Sequence, residues 1–420
     1  MILPRRIRIL LWILWLTGAV LAAHGLYQRF FHGHHAAAYG SYVVWGLWVS
    51  GYIYFIGLSA GSFLLSSLIY VLGFKPLHRV GKLSLFVAII ALFMALIMIL
   101  FDLGRMERFW YVYASPNFGS MMAWMVWLYT AYFLLMCTEM WFLLRPDLAR
   151  WSTKIGIHGT IGRWLSFSNG PLTLEQESAG RGWVRWMAAS GVPLAIAFHG
   201  GVGALFSTLS AREFWHTPLM PILFLTGALV SGSALIAFTI AAFWPNRDEG
   251  WREMLRVIGK AVLFLLLFDV ILEWAEFSVP MWYGVGREYH SLMQMLFGEY
   301  WWVFWIIHVG LGTVIPLALL IFRGRSPRAV GAAGFLVACT FMAVRLNIVI
   351  PGLTEPHLQG LQDSFVDARL RFQYLPSLFE WEVSLAVVVL GCALFYLGYR
   401  FLPLTEEPKS ATLHPAEYGA

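Results

Sequence analysis

Ten long apolar stretches alternate with polar connections along the chain: 7–27, 43–73, 83–103, 120–144, 187–207, 217–244, 254–276, 301–322, 329–350 and 383–402. Each approaches the roughly 20 apolar residues that a helix needs to cross a bilayer. The pattern therefore predicts an all-α, polytopic membrane protein with about ten transmembrane helices. The first stretch follows Arg5, Arg6 and Arg8, as a secretory signal would, but its apolar run exceeds the about 7–15 residues of a signal core and reads as a span. The connection 145–186 is polar and glycine-rich around Ser166–Gly182. It reads as an irregular surface loop, because nothing in it could bury a core. The tail after Leu402 is short and polar, and is expected to be poorly ordered.

Basic residues orient the spans. With the N-terminus in the cytoplasm, 21 of the 29 lysines and arginines fall on inside segments and seven on outside ones, while Arg345 lies within a span. This positive-inside bias predicts that both termini are cytoplasmic, in a bacterial or archaeal inner membrane. The outside loops are then those around 28–42, 104–119, 208–216, 277–300 and 351–382.

Composition sharpens the class. Of 420 residues, 59% are hydrophobic and 12% charged, against about a quarter charged in a soluble domain. Aromatic residues make up 17%, enough for belts at both interfaces. Cys137, Cys339 and Cys392 are far apart in apolar segments, without metal-ligand or disulfide spacing. His32, His34 and His35 form too short a run to argue for a metal tract. No metal site is expected.

Two features carry chemistry. The first is Asp102-Leu-Gly-Arg-Met-Glu-Arg-Phe-Trp110, followed by Ser115-Pro-Asn-Phe-Gly-Ser-Met-Met-Ala-Trp-Met125. An acid, two arginines, another acid and several aromatic residues are packed between two spans. That mixture suits an interfacial anchor, or the rim of a pocket for an amphipathic ligand. The second is a set of ionisable residues in the outer halves of spans, where each is costly and so a functional candidate. Asp269, Glu273 and Glu276 are spaced i, i+4 and i+7 on one helical face. His199, His308, Arg345 and Glu382 lie at similar depth, whereas the inner halves offer mainly Glu139. Arg345 could pair with Glu382 or Glu273 and simply hold helices together, and His199 could be satisfied by a backbone carbonyl.

The Asp102–Met125 stretch resembles the signature of the NrfD/PsrC family, the polysulfide reductase-like integral membrane subunits. Trp45-Gly-Leu-Trp48 with Gly57 and Gly61, His199-Gly-Gly-Val-Gly, and Phe214-Trp-His-Thr-Pro-Leu-Met-Pro221 resemble further stretches of it. Arg345 and Tyr374-Leu-Pro376…Glu380-Trp-Glu382 are similar to the ten-span branch, which includes the hydrogenase membrane subunit and DsrP. The resemblance implies two four-helix bundles with flanking helices: 1–42 an N-terminal helix and outer loop, 43–207 a first bundle with a quinone site, 208–350 a second bundle, and 351–420 an outer loop, last helix and cytoplasmic tail. It also implies a subunit of a respiratory, sulfur- or hydrogen-linked oxidoreductase that reacts with menaquinone or ubiquinone and does not act alone. Haem and iron–sulfur clusters are not implied for the chain itself. The implied partners are an extracytoplasmic iron–sulfur subunit, a catalytic subunit of molybdopterin, hydrogenase or cytochrome type, and membrane lipid, with no nucleic acid.

A quinone needs an apolar slot, donors for two carbonyl oxygens and a route for protons. On that reading Asp102, His199 and Arg105 are the catalytic candidates. Trp45, Trp48, Tyr52, Trp110, Asn117 and Trp124 are the headgroup-binding candidates. Asp269, Glu273, Glu276, His308, Arg345 and Glu382 form a proton path. The sequence departs from the polysulfide-reductase pattern where that family places polar quinone contacts, offering Trp48, Ser50 and Tyr52 instead. Other classes stay open: a proton-coupled secondary transporter using the Asp269/Glu273/Glu276 stripe, or a haem-free structural anchor. A di-haem cytochrome b needs facing histidine pairs, and the spans offer few.

Overall fold

The computed structural model describes residues 5–405 apart from 359 and 368, and every regular element among them is helical. The polar tail lies, from residue 406 on, outside the described residues. Ten long helices follow the ten apolar stretches: α1 (Arg5–His32), α2 (Leu47–Leu72), α3 (Gly81–Asp102), α4 (Met121–Trp151), α5 (Leu174–Ser207), α6 (Met220–Phe243), α7 (Glu249–Tyr283), α8 (Val303–Arg323), α9 (Pro327–Val349) and α10 (Leu378–Phe401). All but α7 are long and apolar enough to cross a membrane. With 35 residues, α7 spans about 52 Å; it differs in carrying Arg256, Lys260, Asp269, Glu273 and Glu276.

Two connections differ from the sequence reading. Segment 145–186 is helical rather than irregular: α4 runs on to Trp151, a further helix covers Ile157–Ser166, and α5 starts at Leu174. Thr173 and Gln176 form a capping box that starts α5. The helix then continues through Gly180 and Gly182, glycines that read in isolation as loop signals. On the opposite face α7 passes Pro280 to Tyr283, and a short helix covers Gly286–Phe297.

Helix packing gives two groups of four. In the first, α2 packs on α3 and α5, and α4 on α5 and α3; in the second, α6 packs on α7 and α9, and α8 on α9. α1 lies along α10, which also touches α3. The groups meet chiefly where α2 crosses α6. There, a Cβ on Gly61 would fall on the Ala228 carbonyl, and one on Gly232 would lie 2.5 Å from the Gly61 backbone. Backbone lies against backbone, the arrangement that small residues permit when lipid offers no hydrophobic drive between helices. The face holding the start of α1 is the N-terminal face, and the opposite one is the far face.

This crossing sets an expectation. Gly61→Leu must push α2 away from α6 and should lower stability by about 2 kcal/mol or more. Gly182→Ala, where an added Cβ meets nothing inside a helix, should not lower it and should raise it by up to about 1 kcal/mol. Thermal unfolding of the purified protein in detergent distinguishes the two, and an unchanged midpoint for Gly61→Leu would contradict the close crossing.

Candidate functional site

The far end of α3 is the start of a buried polar network. The helix stops at Asp102, which leaves its last carbonyls without intrahelical partners. Arg29 of α1 supplies them: Nε donates to Phe101 O at 2.8 Å and Nη2 to Leu103 O at 2.6 Å. Arg29 is only 3% exposed, and its charge also suits the negative end of the α3 dipole. His34 donates from Nε2 to Phe101 O at 3.2 Å. The Arg29 guanidinium lies 5.9 Å from the ring of Trp48, whose Nε1 donates to Glu380 O at 3.0 Å.

Glu380 ties this network to α10. Its carboxylate accepts from Ala38 N at 3.0 Å, from Ser377 N at 2.9 Å and from the Tyr374 hydroxyl at 2.5 Å. Ser377 and Glu380 form the capping box of α10. The Tyr374 hydroxyl in turn accepts from Leu47 N, the first residue of α2. Two buried groups in this region make no close hydrogen bond, Asp102 Oδ1 and the Tyr39 hydroxyl. They face each other, near enough for the hydroxyl to bond weakly to the Asp102 carboxyl, with Arg29 and Glu380 within electrostatic reach. In the loop, burial holds the His34 imidazole below its ordinary pKa and raises that of Tyr39, so both are uncharged near neutral pH.

A second centre lies at the seam between the two helix groups. His199 of α5 is fully buried and donates from Nε2 to Phe224 O at 2.7 Å, leaving Nδ1 free. Arg345 of α9 reaches the same carbonyl at 3.5 Å, with its guanidinium 4.6 Å from the Phe224 ring and 5.3 Å from that of Phe341. Asp269 and Glu273 of α7 face Arg345. Asp269 accepts from Thr226 at 3.2 Å, and Glu273 lies 3.3 Å from His308 Nε2. His308 sits in a π-helical part of α8, Val303–Val314, whose wider turn bonds Thr313 back to the His308 carbonyl at 3.2 Å. A cavity of about 40 Å³ is lined by Asp269, Glu273, Glu276, His308, Arg345 and Asn347. That volume holds a few waters at most.

The residues singled out in the sequence thus divide. Asp102 and Trp48 belong to the far-face network. His199 sits with Arg345, among different neighbours from those of Asp102. Tyr52 bonds through its hydroxyl to that of Tyr129, and Trp45 stacks on Trp215 at 5.8 Å. Arg105, Trp110, Asn117 and Trp124 form an exposed rim. There Asn117 accepts from Gly119 N at 3.1 Å and Trp124 donates to Phe118 O at 2.8 Å. Glu382 lies elsewhere: it pairs with His24 of α1 at 2.7 Å and does not line the cavity. Sequence reasoning assigned no site role to Arg29 or Tyr39, and Tyr374 and Glu380 stood there only as marks of the ten-span branch. The buried face of α1 runs Gly18, Ala22, Gly25, Arg29; that small-residue stripe was the available signal that Arg29 points inward.

Known proteins resemble this chain in sequence. The family described as polysulphide reductase, NrfD matches residues 36–356, which take in α2 to α9. A selenate reductase subunit of Mesobacillus selenatarsenatis is 36% identical over 401 residues, 93% of either chain. A putative dimethyl sulfoxide reductase membrane subunit of Halobacterium salinarum is 30% identical, covering 86% of this chain and 83% of the other. The menaquinone reductase integral membrane subunit of Nitratidesulfovibrio vulgaris is 22% identical, over 93% and 90%.

Arg29 gives a direct check on the network. Arg29→Met removes both bonds, leaving Phe101 O with His34 alone, and should cost about 1–3 kcal/mol. Arg29→Lys should not restore it, since one ammonium lacks the planar fork that reaches both oxygens. Thermal melts of the two variants against the unaltered protein test this, and a full rescue by lysine would show that charge alone matters.

Proposed function

We propose, for a chain that belongs to the polysulphide reductase, NrfD family, that it is the quinone-reacting membrane subunit of a reductase complex. The single observation that carries this reading is the pair of buried polar groups at the far end of α3, the Asp102 carboxyl and the Tyr39 hydroxyl, which face each other without a close hydrogen bond beside the Trp48 ring. An acceptor, a donor and an aromatic wall are what a quinone headgroup requires, so the residues fit the group. When bound, a quinone carries two electrons and two protons. Asp102 would hold or take a proton from a headgroup oxygen, Tyr39 would donate to one, and Arg29 would fix the end of α3 so that Asp102 stays in place.

The lysine and arginine bias favours a far face outside the cytoplasm. Arg105, Arg108 and Trp110 are exposed there, as is Trp282, and arginine with aromatic residues suits a docking surface. An iron–sulfur subunit seated on it would exchange electrons with the quinone, and a catalytic subunit beyond would reduce the terminal acceptor. The names of the two relatives at 30% identity or more favour an oxyanion or sulfoxide as that acceptor, and the Nitratidesulfovibrio relative favours menaquinone. The Asp269/Glu273/His308 cavity supplies a proton path beside Arg345. A purely structural anchor would have no use for it.

Asp102→Asn keeps the shape of the side chain and removes the base. It should lower quinol turnover by about 100-fold or more at normal complex yield, and unchanged turnover would refute the site. Glu273→Gln tests the proton path: proteoliposomes should show fewer protons moved per quinol, and identical stoichiometry would leave the carboxylates structural.

A further inference from the structure

The first helix group holds a carboxyl that none of this chemistry uses. Glu139 lies midway along α4, is fully buried, and has no hydrogen-bond partner at either oxygen. The Tyr132 hydroxyl, seven residues nearer the far face, is also buried and makes no close hydrogen bond, with Ser59 within weak bonding reach. Glu139 lies within electrostatic reach of Tyr132 on α4 and of Tyr70 on α2, and Tyr70 is also within reach of Asp147. Ser59 of α2 faces Tyr132. A charged or unsatisfied carboxyl in a membrane interior is costly. Buried polar atoms in such numbers mark sites for internal water.

Their spacing is regular. Tyr129, Tyr132, Glu139 and Asp147 fall at i, i+3, i+10 and i+18, and 18 residues make five turns, so the four share a face of α4. Tyr52, Ser59 and Tyr70 fall at i, i+7 and i+18 on α2 and run in the same direction. Each row rises about 27 Å, close to the about 30 Å of a hydrocarbon core. The rows face each other across the middle of the group, because α2 and α4 both pack on α3 and α5. The Tyr52–Tyr129 hydroxyl bond and the Phe63–Tyr132 ring contact at 5.1 Å bridge them. At the N-terminal face the line ends on Asp147, which is paired with Lys82 and Arg150. At its other end lies Tyr52, a candidate headgroup contact.

We infer that Glu139 is the relay of a second proton path, which runs through the core of the first helix group and joins the N-terminal face to the Tyr52–Tyr129 pair. Protonated Glu139 passes its proton to water beside Tyr132 and takes another from the Tyr70–Asp147 side, or the reverse; one proton moves and no electron does. The inference rests on the quinone reading for what the path serves, but not for its existence.

Two measurements on the intact complex keep these apart. In the resting protein, infrared spectra should show a protonated carboxyl stretch that shifts in heavy water and disappears in Glu139→Gln. A spectrum that Glu139→Gln leaves unaltered, or a band insensitive to heavy water, would overturn the relay whatever the substrate. In proteoliposomes with a pH dye in the lumen, an impermeant redox partner added outside selects molecules whose far face points outward. Lumen pH should then change in step with turnover, falling during quinol oxidation and rising during quinone reduction. Glu139→Gln should reduce that change at least about 10-fold, and Glu139→Asp should restore part of it. An equal pH change in Glu139→Gln, or none in the unaltered complex during normal turnover, would overturn the path. Failure of quinone turnover in the unaltered complex would instead count against the proposed function, with the infrared result still deciding the relay.

Discussion

A fully buried guanidinium at the meeting of two helix groups is the constraint on which much else depends. Arg345 is 1% exposed, and a cation at that depth must find compensation inside the protein. The surrounding sequence is arranged to give it. Gly227 leaves space, since a Cβ there would come within 2.9 Å of the guanidinium, and Gly57 of α2 lies beside it. Phe224 and Phe341 present ring faces, the Phe224 carbonyl accepts, and Asp269 and Glu273 bring opposite charge from α7. These contributions come from α2, α6, α7 and α9. The arginine therefore reads the relative position of both groups, and the small residues of the α2–α6 crossing are what let it do so.

The same rule, that a polar group in lipid must be satisfied internally, makes its exceptions informative. Most hydroxyls within the helices back-bond to the preceding turn, as Thr226, Ser231 and Thr340 do. The buried atoms without a close hydrogen bond instead include Asp102 Oδ1, Tyr39 Oη, His199 Nδ1, Glu276 Oε1, His308 Nδ1 and both oxygens of Glu139. They belong to the far-face network, the seam with its cavity, and the core of the first helix group. Water, protons or a polar headgroup can satisfy them in each of these places, and an apolar tail cannot.

The spans were legible because apolar length alone decides them: ten stretches became ten helices, including α7 despite its charges. What apolar length could not decide was the fate of polar helix ends. Segment 145–186 looked like a loop because its composition is polar, yet the Thr173–Gln176 box extends α5 by thirteen residues beyond the apolar stretch. At the site, the order of the spans grouped His199 with Asp102 and set Arg345 apart. In the structure His199 and Arg345 share one carbonyl, because the α2–α6 crossing draws α5 and α9 together. Glu382 was grouped with Arg345 by depth, but the face of α10 that carries it turns to α1 and His24. Depth along a helix is readable from the chain; the direction of a face requires knowing which neighbour it meets.

The flanking helices show what that neighbour can change. Residues 36–356 carry the family match, and Arg29, Tyr374 and Glu380 all lie outside them. Yet Arg29 completes the end of α3 next to Asp102, and Tyr374 holds the first amide of α2 while Glu380 holds the indole of Trp48 and the loop at Ala38. Helices that could be removed without touching α2–α9 would contribute lipid-facing surface and little else. Here α1 and the entry to α10 instead reach under the far ends of α2 and α3 and fix two members of the candidate headgroup site. The candidate site therefore draws on α1 and the entry to α10 as well as on α2 and α3, and its polarity is set in part by residues outside the segment that carries the family match.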